Sequence, residues 1–483
     1  MPEERIKSLP LKGISLNPSS VYFEAQPDGD PATWIFDGQL TNNSISGAFK
    51  YLEERGSFQL VRAAPVNSKI FEQYIGDYQL GPNKYISIAR YDPGNGENYL
   101  SYQNSESGYW GLLYPLSETT FYFAPARVSD SPLDLKITFV KDKGKITGLT
   151  QSRKNLTQKK FAKKIALYNA EQVSFQNGNI VLSGELIKPV QSGRHPSIVI
   201  VHGSGAQSRD GAPSSPNYMR FIANSFARQG IAALIYDKRG VGNSTGDWNK
   251  AGFDELADDV LSGVQFLKNR SDIDPRQIGL SGTSQAGWVI SSAGSRSKDV
   301  AFIIVIGGGG VSPTEQELYR REKNLREAGF SEAEIEKALA HQQLKFNLVR
   351  RNEAAKLDAV NEETKNEKWF PYVSNPRSGQ SWTYWRGIID FDPKPLWEKF
   401  TRPVLVIFGE LDESSPLPDS ANGIEQALKK GGNKDYTVKI FPKADHIVLV
   451  KPDKNGTEVY PHFAIGYFKM VNEWLLKRVR LAK

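Results

Sequence analysis

Ile278-Gly279-Leu280-Ser281-Gly282-Thr283-Ser284-Gln285-Ala286-Gly287-Trp288 passes from an apolar run into a helix-forming one through a single serine, with glycine two residues before it and a small residue two after. A serine at such a junction sits on a sharp, strained turn, and its neighbours must lack bulk for strand and helix to approach. The stretch predicts a nucleophile elbow carrying Ser284; its plain alternative is a tight turn without chemistry. The spacing departs from Gly-x-Ser-x-Gly at Ala286. Gly242-Asn243-Ser244-Thr245-Gly246 meets that pattern letter for letter, yet Asp237-Lys238-Arg239-Gly240-Val241 parts Ser244 from its strand and the next helix begins near Asp254. Without an elbow to sit on, Ser244 ranks below Ser284.

Outward from the elbow, strand and helix patterns alternate. Val173 to Ile187 reads as a hairpin turning at Gln176-Asn177-Gly178-Asn179. A strand Ser197 to Val201, a helix Tyr218 to Gln229, a strand Ile231 to Tyr236 and a helix Asp254 to Asn269 follow. Strand Gln277 to Gly282, a helix from Gln285 and strand Phe302 to Ile306 complete the run. This alternation predicts a mostly parallel sheet with helices on both faces. It stops at Gly307-Gly308-Gly309-Gly310 and resumes at Pro403 to Phe408. Between them, Thr314 to Lys365 has helical spacing, and Trp369, Trp382, Trp385 and Trp397 follow. An insertion, helical at first and aromatic towards its end, is expected there as a lid.

Upstream, Val21 to Leu149 holds short Tyr-, Phe-, Ile- and Val-rich segments between Gly, Pro, Asn and Asp clusters, the pattern of strands and hairpins. Tyr85 to Ala89, ahead of the turn Asp92-Pro93-Gly94-Asn95-Gly96, is one; Tyr99 to Tyr102, Thr120 to Phe123 and Leu135 to Phe139 are others. Gln151 to Lys164, with Arg153, Lys154, Lys159, Lys160, Lys163 and Lys164 and no acid, reads as a solvated linker or edge strand in preference to an anion-binding patch. The expected organisation is a β-rich region with its basic linker over 1–165, an α/β core over 166–310 and 401–483, and a cap over 311–400.

Composition bounds the chemistry. At 483 residues the chain has room for about three structural units, and 39% hydrophobic with 24% charged residues is the make-up of a folded chain. Apolar runs such as Ile198 to Val201 have strand length, so no membrane span is expected. With no Cys, disulfides, thiolate metal sites and cysteine nucleophiles are excluded. A net charge of +7, dispersed and outside any nucleic-acid motif, argues against nucleic-acid binding. Met1-Pro2-Glu3-Glu4-Arg5 lacks the progression of a signal peptide. The compartment stays open between the cytoplasm and a periplasmic or secreted location reached with a leader removed.

A serine needs a base, and the base needs an orienting acid. Of five histidines, His446 lies in a loop after the strand Tyr436 to Phe441, at the end of the sheet where such folds keep their sites. His462 reads as a surface or packing residue opening the final helix, His195 precedes a strand, His202 opens a loop and His341 lies in the insertion. Phe408-Gly409-Glu410-Leu411-Asp412-Glu413 supplies the acid, with Asp412 first and Glu410 and Glu413 as rivals. The order Ser284, Asp412, His446 is an independent check. Val201-His202-Gly203-Ser204-Gly205 places backbone amides near the elbow; those of Ser204 and Gln285 are the expected oxyanion hole, with Gly203 or Gly205 as substitutes for Ser204. The histidines have no paired metal-ligand spacing, and neither metal nor organic cofactor is expected.

The set His202 to Gly205, Tyr236 to Gly246, Gly282 to Trp288, Gly409 to Asp412 and Asp445-His446 resembles the α/β-hydrolase superfamily, most of all the bacterial carboxylesterases of the EstD-like, dienelactone-hydrolase-related group. The resemblance covers about Glu171 to Lys483 apart from the insertion. It implies that the Asp237–Gly246 loop braces the sheet and that Ala286 is tolerated. Tyr74-Ile75-Gly76-Asp77-Tyr78 is similar to small β-domains appended to exported bacterial hydrolases. The expected function is hydrolysis of a small-molecule carboxylic ester through Ser284, His446 and Asp412. An amidase or peptidase with the same triad, and a non-catalytic binding protein on the same scaffold, are the rivals. Trp369, Phe370, Tyr372, Trp382, Tyr384 and Trp385 either pack a core or line an acyl or aryl pocket.

Overall fold

The structure, a computed structural model, describes residues 11–26, 33–42, 44–51, 54–93, 98–125, 133–153, 159–212, 215–374, 381–452 and 460–482. The N-terminal pentapeptide, the glycines of the turn after Asp92, and Lys154 lie outside these residues. Two compact units are present, Met1–Ile165 and Ala166–Lys483.

The first unit contains two β-structures. Strands β1 (Leu11–Leu16), β2 (Ser20–Ala25), β3 (Trp34–Leu40), β4 (Ser44–Tyr51) and β5 (Glu54–Val61) form an antiparallel sheet in sequence order. Alternation places Phe23, Phe36 and Phe49 in register across three strands, and Phe23 stacks on Phe36 at 4.7 Å between ring centroids. Strands β6 (Gly76–Gly81), β7 (Lys84–Tyr91), β8 (Tyr99–Asn104), β9 (Trp110–Pro115), β10 (Thr120–Pro125), β11 (Leu135–Asp142), β12 (Lys145–Arg153) and β13 (Lys160–Ile165) close into a barrel. Tyr74, Tyr78, Phe121 and Phe139 are buried in it, with Tyr74 stacked on Phe139 at 4.1 Å. The described residues of the basic stretch are neither linker nor free edge: Gln151 to Arg153 end β12, and β13 pairs with both β12 and β6 and so completes the closure. Barrel strands alternate, so Ala162 faces inward while Phe161 and Lys163 on either side of it stay in solvent.

In the second unit β14 (Tyr168–Asn177), β15 (Ile180–Pro189), β16 (His195–Val201), β17 (Ala232–Tyr236), β18 (Ile273–Thr283), β19 (Val300–Ile306), β20 (Val404–Gly409) and β21 (Tyr436–Phe441) form one sheet. Its order is β14-β15-β17-β16-β18-β19-β20-β21. The first hairpin runs antiparallel, and β17 to β21 with β16 are parallel. Central strands such as β16 and β20 are buried throughout, as a sheet covered on both faces demands. Helices α1 (Tyr218–Arg228), α2 (Phe253–Lys268) and α3 (Ala286–Arg296) are the crossovers.

The insertion comprises α4 (Pro313–Glu327), α5 (Glu332–Arg351), α6 (Ala354–Thr364), α7 (Phe370–Ser374), α8 (Trp382–Ile388) and α9 (Lys394–Glu398). Capping boxes at Ser312/Glu315 and Ser331/Glu334 start α4 and α5. Leu325, Ile335, Ala338, Trp369 and Val373 make a small core of their own. The aromatic end behaves differently: Tyr384, Ile388 and Trp397 belong to the main core. Ser381 anchors α8 through its N–H to Asn249 Oδ1 (2.7 Å) and its Oγ–H to Asn249 O (2.6 Å). Trp369 and Tyr384 are therefore packing residues. Helix α10 (Asp419–Lys430) separates the last two large strands, and β22 (Leu449–Val450) pairs with β23 (His462–Phe463) ahead of α11 (Tyr467–Leu476). His462 is a buried packing residue, one of the two roles expected of it, but it lies on β23 and not at the head of the last helix; its Nδ1–H donates to Phe463 O (2.8 Å). Gly466, at φ +84°, is the residue before α11.

Candidate active site

The elbow follows from crowding. Ser284 has φ +63°, a left-handed backbone that a side-chain-bearing residue adopts only when its surroundings impose it. Its N–H donates to Ile306 O at 2.8 Å, and its carbonyl accepts from Gly287 N–H at 2.9 Å. A Cβ on Gly282 would lie 2.4 Å from Ala286 Cβ and 2.7 Å from Val201 O. Glycine two before the serine is thus compulsory, and a methyl two after it fits because the glycine leaves that space. Ser284 remains partly exposed at the end of β18.

Asp412 and His446 meet on the loops after β20 and β21. Nδ1 of His446 is 2.9 Å from both Oδ1 and Oδ2 of Asp412. The Asp412 Oδ1 also accepts from the N–H groups of Ser414 and Ser415, each at 2.8 Å, so the carboxylate is held before any substrate arrives. Of the rival acids, Glu410 is turned to the Lys443 N–H (2.8 Å), and Glu413 precedes the two serines whose amides hold Asp412. The glycine turn after β19 lies between base and elbow. A Cβ on Gly307 would meet His446 Nδ1 at 3.1 Å, and one on Gly308 would meet Ser284 Cα at 3.0 Å. Consecutive glycines therefore bring Ser284 and His446 to one place. Trp288 Nε1 donates to Val311 O and Trp397 Nε1 to Gly309 O, both at 2.7 Å, holding that turn from either side.

The loop after β16 runs beside the elbow, since a Cβ on Gly203 would be 3.3 Å from Thr283 O. Gly203 N–H donates to Gln207 Oε1 at 3.1 Å, which removes it as a donor to anything else. The amides of Ser204 and Gln285 have no acceptor among the described residues. Behind the loop, buried Lys238 donates through Nζ to Gly203 O (2.9 Å) and Gly205 O (3.1 Å). Burial brings its ammonium down to about 7. Burial, reinforced by Lys238, pushes the His202 imidazole down to about 3; its Nε2 hydrogen-bonds Tyr236 O at 2.6 Å.

Ser244 is fully used elsewhere. Its Oγ–H donates to Asp237 O (2.6 Å) and its oxygen accepts from Ser183 N–H (2.9 Å). The surrounding loop is fastened by Arg209 on Asp237 (2.7 Å) and Arg239 on Asp259 (2.6 Å), both pairs buried. The Gly-x-Ser-x-Gly match at 242–246 is thus a loop fastening. Residues that the sequence reading passed over are Gln207, Lys238, Gly307, Gly308, Ser414 and Ser415. Only the four-glycine run was a visible signal, because the others act through backbone contacts that spacing does not encode.

An eight-stranded sheet of this order, with a serine elbow after its fifth strand, is that of an α/β-hydrolase. A family model, Hydrolase_4, described as serine aminopeptidase, S33, matches residues 194–453. The chain belongs to that family. Esterase EstD of Thermotoga maritima is 22% identical over 312 residues, which are 63% of this chain and 68% of EstD. The thiohydrolase aneE of Aspergillus aculeatus is 30% identical over 112 residues, 23% of this chain and 33% of aneE. Among solved structures, the α/β hydrolase GrgF of a Penicillium species has a TM-score of 0.43 at 18% identity, covering 64% of this chain and 99% of GrgF. The Pyrococcus furiosus esterase Pf2001 has a TM-score of 0.43 at 16% identity, covering 65% of this chain and 92% of that one. Among the described residues no helix is long and apolar enough to cross a membrane.

Proposed function

We propose that the protein hydrolyses carboxylic esters of small molecules through an acyl-enzyme. The observation that carries the reading is the left-handed Ser284 set across two glycines from a histidine already paired with a buried aspartate. In this reading His446 Nε2 takes the Ser284 Oγ proton as Oγ attacks the ester carbon. The amides of Ser204 and Gln285 receive the charge that forms on the carbonyl oxygen. The tetrahedral adduct collapses, the C–O bond to the alcohol breaks, and His446 returns its proton to the departing oxygen. Water then repeats the sequence on the acyl-Ser284, releasing acid and regenerating the hydroxyl. Asp412 fixes Nδ1–H of His446, leaving Nε2 as the base, and offsets the imidazolium charge. Every step uses groups of the chain and water. The likeness to esterase EstD supports ester over other acyl bonds.

The family description favours a second reading, hydrolysis of an amino-terminal peptide bond by the same residues. One experiment separates the two: turnover of p-nitrophenyl esters from acetate to palmitate beside aminoacyl p-nitroanilides, for the native chain and Ser284→Ala. Ester turnover abolished in Ser284→Ala is the expected result. Anilide turnover without ester preference would establish the peptidase reading, and full ester turnover by Ser284→Ala would overturn both. A fluorophosphonate that fails to label Ser284 would mark a binding protein on a hydrolase scaffold.

A further inference from the structure

We propose that Lys238 is a positioning residue for the oxyanion-binding peptide, acting through the Gly203 carbonyl to aim the Ser204 N–H. The inference rests on the reading of that N–H as an oxyanion donor. A peptide group is planar and trans, so its C=O and N–H point in opposite directions. Gly203 C=O and Ser204 N–H belong to one such group. By drawing the Gly203 oxygen to 2.9 Å from its Nζ, Lys238 sets the direction of the Ser204 N–H away from itself. A second bond to Gly205 O at 3.1 Å stops the loop from pivoting about the first.

Three further features make the clamp specific. Gln207 works on the same loop with opposite polarity, accepting from Gly203 N–H at 3.1 Å and donating to Ser204 O at 3.0 Å. The peptides on both sides of the Gly203–Ser204 bond are thereby tied, and the bond itself is tied by Lys238. The neighbours of Lys238 in sequence turn elsewhere, Asp237 to the backbone and side chain of Arg209 further along the loop and Arg239 to Asp259, so of the three side chains the lysine alone bonds the Gly203 and Gly205 carbonyls. The indole of Trp248 lies 5.6 Å from its Nζ and keeps that end of the side chain in place. A buried amine whose two bonds go to the carbonyls flanking one residue controls that residue's amide more than the stability of the sheet.

The test compares ester turnover by the native chain, Lys238→Met and Lys238→Cys. Removing the clamp should lower kcat by about 10- to 100-fold, less than the roughly 10²- to 10³-fold lost when an oxyanion donor is removed outright, because the Ser204 N–H is misdirected and not deleted. KM should stay within about threefold, because the donor acts in the transition state. Because the chain has no cysteine of its own, Lys238→Cys can be unfolded, alkylated with 2-bromoethylamine at that one thiol and refolded. The product carries an amine at almost the lysine position, and most of the lost kcat should return. A folded Lys238→Met with native kcat, a loss confined to KM, or failure of the amine to restore kcat in the refolded protein would each overturn the inference. Should Lys238→Met not fold, Lys238→Gln, one bond too short to reach both carbonyls, takes its place under the same criteria. Ser284→Ala, run alongside, separates the two levels: its full activity would remove the Ser284 acyl-enzyme reading itself, whereas its inactivity beside a native-like Lys238→Met would remove the clamp alone.

Discussion

Nδ1 of His446 stands 2.9 Å from each carboxylate oxygen of Asp412, with the aspartate side chain wholly buried and the histidine side chain 13% exposed. The pair engages the imidazole through Nδ1. In Asp412→Asn the carbonyl oxygen can still accept from Ser414 and Ser415, which turns the amide NH2 towards His446. Nδ1 must then be the acceptor and Nε2 carries the proton, so the base is blocked. We expect kcat to fall by about 10⁴-fold with KM little changed, read from steady-state ester kinetics.

Crowding at the elbow makes a prediction about stability. In Gly282→Ala the new methyl meets Ala286 Cβ and Val201 O at distances no packed pair tolerates. A loss of about 2–3 kcal/mol is expected in chemical denaturation, with activity falling as Ser284 shifts. Adding Ala286→Gly removes one of the two clashes and should recover part of it. Ala286→Gly alone should keep activity and cost at most about 1 kcal/mol, the helix penalty of glycine.

The two serines in elbow-like sequences should separate cleanly. Ser244→Ala strands the half-buried Ser183 N–H and the buried Asp237 carbonyl, so about 1–3 kcal/mol of stability should go while kcat of the folded protein stays native. Ser284→Ala should do the reverse, leaving the melting temperature near native and abolishing turnover. Paired melting curves and progress curves on the two variants check this.

His202 gives stability a pH dependence. Its folded imidazole is held down at about 3 against 6.5 in the unfolded chain, so between those values the unfolded state binds the extra proton. Stability is therefore full above pH 6.5 and is lost as pH falls towards 3, by up to about 1.4 kcal/mol for each pH unit crossed. His202→Gln keeps a donor for Tyr236 O without titrating. Urea denaturation at pH 7, 6, 5 and 4 should show a shallower slope for the variant, and equal slopes would contradict the assignment.

What the residue order settled by itself was whatever depends on periodicity and local crowding. Alternating strand and helix patterns implied the parallel sheet, the small residues around Ser284 implied the elbow, and the order Ser284, Asp412, His446 singled out the histidine and acid that the fold brings into contact. Tertiary structure alone decided among residues of equal local promise. Glu410 and Asp412 are two positions apart on one loop, and only the packing of that loop against Ala444 and Lys443 turns one to a backbone amide and the other to His446. Ser244 met the motif better than Ser284 and lost its hydroxyl to two backbone groups supplied from β15 and the end of β17. The basic segment Gln151 to Lys164 looked like a linker or edge strand because charge reports solvent on one face and says nothing of the hydrogen bonds by which β13 closes a barrel. Lys238 was invisible for the same reason: its partners are carbonyl oxygens more than thirty positions away, and a backbone oxygen has no letter in the sequence.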